Sequence, residues 1–204
     1  FFIYRIFFLF LHTKIDMKFR EIIIILYNLV FNAEDFCQKM NHRSDDVEED
    51  SDFFKNMMII HAVCIFFSTL IYSDGVFFVT PLLKSFFSVL SYFLTFIICR
   101  KALSYFSEQY SFLAQKESAI FRILIYTLSF EMLLSSVIAF APVVFLFLNA
   151  LLLFSFYIVW TAMQHTLQVE EEKQLHFLFS VAFPLVLFPI FFNKIVVFFI
   201  PIIS

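Results

Sequence analysis

The sequence predicts an all-α integral membrane protein, a bundle of about five transmembrane helices with an N-terminal cytoplasmic amphipathic segment. Three observations carry that reading. Of 204 residues, 62% are hydrophobic and only 15% charged, whereas average proteins are roughly 45–50% apolar and about 25% charged. The apolar residues fall in runs of span length separated by short polar stretches. Glycine occurs once, at Gly75. A soluble domain needs more polar surface than this chain supplies. A disordered chain would be far less apolar, and three cysteines are too few for a disulfide scaffold.

The lone glycine excludes function classes. A Walker A loop, a dinucleotide-binding G-x-G-x-x-G turn and a GxxxG helix pair each need several glycines. The 35 Phe residues are read as mutational bias, because Phe replaces Leu in lipid at little cost.

Taken in order, the chain opens with Phe1 and reaches its first Met at Met17, which begins MKFREIIIILYNLVF. Residues 1–16 are expected to be an upstream or non-native extension, with a hydrophobic anchor as the rival reading. Their apolar stretch, interrupted by Arg5, is shorter than the about 20 residues a span requires. Residues 17–56 form a cytoplasmic tail. Within it, Arg20 to Phe31 is a helix lying in the headgroup plane, flanked by Lys18 and Arg20 before and Glu34 and Asp35 after. The acidic run NHRSDDVEEDSD, 41–52, reads as a solvated linker. It lacks the spacing and the glycine of an EF-hand.

The transmembrane domain, 57–204, divides into spans 57–72, 76–99, 119–141, 143–163 and 177–203. Ser73-Asp74-Gly75 makes the first turn, and Arg100-Lys101 stop the second span. Residues 102–118 read as a surface loop or short amphipathic helix. Pro142 forces the next turn, and the polar stretch 164–176 separates the last two spans. The final region contains Pro184, Pro189 and Asn193-Lys194. One kinked span ending near Phe192 with an interfacial tail is expected, and a single long tilted helix is the alternative.

Charge sets the orientation. Lys18, Arg20, Lys39, Arg43, Lys55, Arg100, Lys101, Lys116, Arg122 and Lys173 fall on one side, and Lys194 alone on the other. The positive-inside rule puts the N-terminus in the cytoplasm and the C-terminus outside.

Ionisable residues inside a bilayer are functional candidates by default. Lys84 and Glu131 stand at matching depth in consecutive spans, roughly 13–15 Å below the outer surface, which permits a salt bridge. Asn149 lies somewhat shallower and can bond to either, and Lys194 extends the polar track. The plainer alternative has Lys84 snorkelling outward past Pro81 and Glu131 protonated or held by a serine such as Ser135. Cys37, Cys64 and Cys99 show no CxxC spacing and read as small apolar residues, with palmitoylation of Cys37 a lesser option. His61 reads as a packed, hydrogen-bonded histidine. His165 and His176 match no zincin spacing, and Glu170 to Glu172 read as a solvated loop rather than the paired glutamates of a CAAX-type protease. Tyr157 and Trp160 fit an interfacial aromatic belt. No catalytic constellation, cofactor, metal or nucleic-acid site is expected.

Two stretches carry a family resemblance. ILYNLVFNAEDFCQKM, 25–40, is similar to the opening segment of the Yip1 family of polytopic membrane proteins, with Asn32-Ala33 where Asn-Pro is common. YIVWTAMQHTLQVEEEKQLHFLF, 157–179, resembles the family's fourth-span exit, with Ala162-Met163-Gln164 in place of Gly-Leu-Pro. The bacterial members are nearest in size, so the resemblance implies a five-span protein of a bacterial cytoplasmic membrane. It implies a non-enzymatic role, organising membrane or recruiting protein partners through the tail or the 100–122 loop. The alternative is a small transporter or channel subunit using Lys84, Glu131, Asn149 and Lys194. The lipid bilayer is a partner in either case. A homo-oligomer fits too, because a bundle with so little small-residue packing leaves lipid-facing surface available.

Overall fold

The computed structural model describes residues 19–42, 47–72, 78–109, 117–141 and 153–203. The described elements are helical: α1 (Phe19–Phe31), α2 (Ala33–His42), α3 (Val47–Tyr72), α4 (Val79–Gln109), α5 (Glu117–Phe140), α6 (Phe154–Ala162) and α7 (Glu171–Ile203), with a π-helical turn over Met163–Leu167. Among the described residues there is no strand. Four helices are long and apolar enough to cross a membrane, over Glu49–Tyr72, Val79–Tyr105, Ser118–Phe140 and Glu171–Phe192. Such segments are helical because lipid offers backbone amides and carbonyls no other partner. The first part of the expected span 143–163, up to residue 152, lies outside the described residues, as do Asn149 and the 1–16 segment, and its second part is α6.

α5 is the central helix. Of its apolar stretch 67% is buried, against 28–33% for the other three long helices. α3 packs along α5 and α4, while α7 packs along α4 and α6. Contacts between α3 and α5 advance together, Asp50 with Arg122, His61 with Met132 and Tyr72 with Phe140, so these helices run parallel. α4 runs antiparallel to both.

The polarity of the bundle is inverted relative to a water-soluble one. His61, Ser88, Arg122, Thr127, Glu131 and Ser155 are buried, while Phe67, Ile71, Phe86, Phe93, Phe183 and Phe191 face outward. An apolar exterior of this extent is expected only where lipid replaces water.

The close packing corrects one expectation. Small residues are not scarce at the interfaces: Ser85, Ser88, Ser91 and Thr95 line the buried face of α4. At spacings of three and four they share one side of the helix, and the short side chains of Ser85 and Ser88 let α3 approach, Ser85 donating to the Ala62 carbonyl at 2.8 Å and Ser88 meeting His61.

Element boundaries differ from the sequence reading in three places. α3 starts at Val47, so the second half of the acidic run is helical and Asp50 is only 2% exposed. α4 continues past Arg100-Lys101, the expected stop, to Gln109, so the helical alternative for the stretch after it holds as an extension of the span and not as a separate helix. α7 begins at Glu171 and runs unbroken to Ile203, the long single helix rather than a kinked span with a tail. Each internal proline removes one hydrogen bond, which is too little to end a helix whose other amides have nowhere else to bond.

The N-terminal helices dock onto this bundle. α1 buries Ile22, Leu26 and Leu29, while Ile23, Ile24, Tyr27 and Phe31 point away. It is apolar on both sides, as suits a helix with protein on one side and lipid on the other. Asn32 separates α1 from α2, yet amide bonds Asn32 to Asn28 and Phe36 to Asn32, each 2.9 Å, carry the ladder across. Glu34 and Asp35 in the first turn of α2 favour its N-terminal dipole.

Candidate functional site

Polar side chains occupy three levels along α5, and they differ in how completely they are satisfied. At the first level, Arg122 Nε donates to Asp50 Oδ2 at 2.8 Å, and Tyr126 Oη donates to Asp50 Oδ1 at 2.5 Å. The two charged side chains are 3% and 2% exposed. Phe36 stands edge-on to the Tyr126 ring and Phe53 packs obliquely against it, at centroid distances of 5.1 and 5.3 Å, closing the pair from solvent. α5 brings Arg122 and Tyr126 to one face because they are one helical turn apart.

At the third level, His61 of α3 joins three helices. Its Nε2 lies 2.8 Å from Ser88 Oγ, and its Nδ1 lies 2.9 Å from Ser136 Oγ and 3.1 Å from the Met132 carbonyl. The Met132 carbonyl can only accept, so the proton belongs on Nδ1 and Nε2 accepts from the Ser88 hydroxyl. Ser136 donates to the same carbonyl at 2.7 Å. Tyr92 packs edge-on to the ring at 5.0 Å. The imidazole is saturated, as the packed reading of His61 anticipates. Among the described residues no group of three His, Cys, Asp or Glu is placed to hold a metal.

The second level, between them, is different. Glu131 is 1% exposed, and its Oε1 has no hydrogen-bond partner. Phe154 packs on Phe130 with ring centroids 5.6 Å apart, which carries Ser155 of α6 to the level of this carboxyl; no hydrogen bond of ordinary geometry joins them, and the hydroxyls of Thr127 and Ser129 are likewise unpartnered. Thr127 stands one turn before Glu131 on the same face of α5. From α4, Tyr92 Oη donates to the Glu131 backbone carbonyl at 3.4 Å and not to its carboxyl.

Lys84 does not come to Glu131. It is half-buried near the start of α4, and no ion pair among the described residues joins it to Glu131. The depth match took the helix ends as flush. Instead, Tyr92 against Glu131 and Arg100 over Phe121 set a staggered register. Lys84 is two turns from Tyr92, about 12 Å along the axis. Ser155, not Ser135, is the serine beside the carboxyl. Lys194 is exposed on α7, and Asn149 lies outside the described residues.

The Asp50–Arg122 pair escaped sequence reading. Its partners are separated by 72 residues, and Asp50 stands among several acids with nothing to single it out. Ser155 carried a weak signal, a hydroxyl isolated in the apolar run 150–160.

A junction between the N-terminal helices and the π-helical turn completes the structure. Thr166 Oγ1 donates to the Cys37 carbonyl at 2.8 Å, and His165 Nε2 lies 3.5 Å from Glu34 Oε1. Cys37 is fully buried, which pushes its thiol up to about 12 and closes it to palmitoylation as it stands. Gln168 then adopts a left-handed conformation, φ 54°, and its amide and that of Val169 bond to the Met163 carbonyl.

Comparison with protein-family models, with curated proteins and with solved structures finds no match to this chain.

Proposed function

We propose that the protein is a multi-pass membrane protein of Yip1-like type that performs no catalysis and holds a platform for protein partners at the cytoplasmic face. The observation that carries this reading is how α2 is mounted. Its carbonyl at Cys37 and its Glu34 side chain are fastened to the π-helical turn. Asp35, Gln38 and Lys39 stay exposed on the free side. A polar helix held by buried contacts against an apolar bundle loses little further entropy when it binds a partner. In this reading the membrane is a bacterial cytoplasmic membrane, the N-terminus lies in the cytoplasm and the C-terminus lies outside. The test is a pull-down with the full chain against one carrying Asp35→Lys, Gln38→Glu and Lys39→Glu. A specific partner lost from the variant at unchanged thermal stability supports the platform, and an identical set of partners rejects it.

A second reading, a small transporter or channel subunit, is favoured by the buried Glu131 side chain, whose Oε1 has no hydrogen-bond partner. Proton or sodium flux in proteoliposomes, abolished by Glu131→Gln, supports it and counts against the platform as the main role. Absence of flux rejects it.

A further inference from the structure

Three buried hydroxyls, those of Thr127, Ser129 and Ser155, have no hydrogen-bond partner, and Thr127 and Ser155 stand on the side of α5 that carries Glu131. A serine or threonine in a helix usually returns its hydrogen bond to a carbonyl three or four residues back. Ser68, Thr69, Ser91, Thr95 and Ser136 all do so, at 2.7–3.0 Å. Thr127 and Ser155 do not, although both are fully buried. Their oxygens are therefore available to something other than their own helices, and the Glu131 carboxyl stands beside them.

Charge narrows the occupant. A carboxyl sealed from water is neutral by protonation or, when ionised, needs a positive partner, because a lone charge in low dielectric is prohibitively costly. Arg122 is committed to Asp50, and Glu131 forms no ion pair among the described residues. The titratable groups that face it are Tyr92 and Cys99 of α4, a phenol and a thiol that carry no charge at neutral pH. α3 presents His61 at the next level, saturated by Ser88, Ser136 and Met132, and α6 presents Ser155. One negative charge calls for one positive charge. A divalent ion would leave a net charge buried, and an all-oxygen donor set suits a hard ion rather than a soft transition metal.

We propose that Glu131, Ser155 and Thr127 form a binding site for one small monovalent cation, which the carboxyl exchanges for a proton. When the cation leaves, a proton takes its place on the carboxyl, so the buried net charge stays at zero in both states. The site stands apart from the platform and from flux. A protein of either kind can carry it, and occupancy is measured without transport.

The experiment uses the full chain, purified in detergent, and dicyclohexylcarbodiimide, which modifies protonated carboxyls in apolar surroundings. The modified residue is located by mass spectrometry. Modification is expected at Glu131 and not at Asp50, which is held by Arg122. Sodium chloride at ten times its dissociation constant is expected to slow the reaction about tenfold at constant pH, as mass action requires, with choline chloride at equal ionic strength as the control. Ser155→Ala and Thr127→Val, which keep the carboxyl, are each expected to raise the sodium concentration for half-protection about five- to tenfold. Equal modification in sodium and choline overturns the proposal, because the carboxyl then carries only a proton. No modification of Glu131 in either salt overturns it too, because the site then does not exchange. Sodium protection unchanged in both hydroxyl variants overturns the assignment of the ligands.

Discussion

Two buried carboxyls on neighbouring levels of one bundle have opposite surroundings. Asp50 is sealed with its counter-charge, held by Arg122 and Tyr126. Glu131 is sealed without one, beside hydroxyls that bond to nothing. Burying an ion pair roughly breaks even against apolar packing, whereas removing one member strands the other at great cost. The first carboxyl is therefore architecture, fixing the start of α3 against α5 and setting the parallel register of the two. The second fixes nothing. Among the described residues it has no counter-charge, so a proton or, as proposed above, a bound cation has to neutralise it.

The sharpest way to break this contrast is to remove Arg122. Arg122→Met leaves Asp50 buried and uncompensated, and is expected to cost about 3–5 kcal/mol of stability, read as a large loss in thermal unfolding in detergent. Adding Asp50→Leu to the same chain is expected to recover most of that loss. Failure to recover would mean that Asp50 acts through Tyr126 and not through the ion pair.

Cys37 offers a third sealed acid, outside the spans and neutral by burial. With the thiol pushed from 9.0 up to about 12, its thiolate at neutral pH is about a thousandfold scarcer than at the ordinary value, an effect equal to about 4 kcal/mol. Maleimide labelling of Cys37 is expected to be slower than that of a free thiol by a comparable factor, until the fold opens. Because the folded value is raised, the associated stability is fully present below pH 9.0 and is lost as pH rises toward about 12. Rapid labelling of Cys37 in the folded protein would show α2 to be detached from the π-helical turn.

The third level tests whether a neutral, saturated hub behaves like architecture. His61→Phe keeps the ring contact with Tyr92 but strands Ser88 and removes the link to Met132, for an expected loss of about 1–3 kcal/mol. Glu131→Gln is the counterpart at the site. It replaces a carboxyl that holds no ion pair among the described residues by a neutral group of the same shape, so the expected change in stability is within about 1 kcal/mol. A loss as large as that of Arg122→Met would place Glu131 with Asp50, as a structural group.

Much of this was legible in the sequence, and the gaps have physical reasons. Apolar runs of span length identify the four long helices because the bilayer sets their length. Glu131 stands out because a lone acid in such a run is conspicuous, and His61 because a histidine amid apolar residues needs hydrogen bonds to stay there. Asp50 was hidden, since an acid among acids looks solvated until a helix carries it to an arginine 72 residues on. Lys84 was placed at the wrong level because sequence counts depth from helix ends, whereas side-chain packing sets the stagger. The α4 serines went unread because the missing glycines drew attention to an absence, although Ser85, Ser88 and Ser91 recur at helical spacing.

The smallest expected effect concerns how Ser155 is held opposite Glu131. α6 carries Ser155 and passes into the π-helical turn, which ends at Gln168 in a left-handed conformation. A residue with a Cβ pays about 1–2 kcal/mol there, and glycine does not. Glycine also gives up roughly 0.5–1 kcal/mol of unfolded-chain entropy on folding. Gln168→Gly is therefore expected to stabilise the protein by about 0.5–1 kcal/mol, measured by thermal unfolding. If Gln168 is a simple cap, sodium protection of Glu131 is unchanged in this variant. If stability rises while protection weakens, the glutamine's rigidity is what keeps Ser155 aimed at the carboxyl. The strain at the turn would then belong to the Glu131 site and not to the Asp50 architecture.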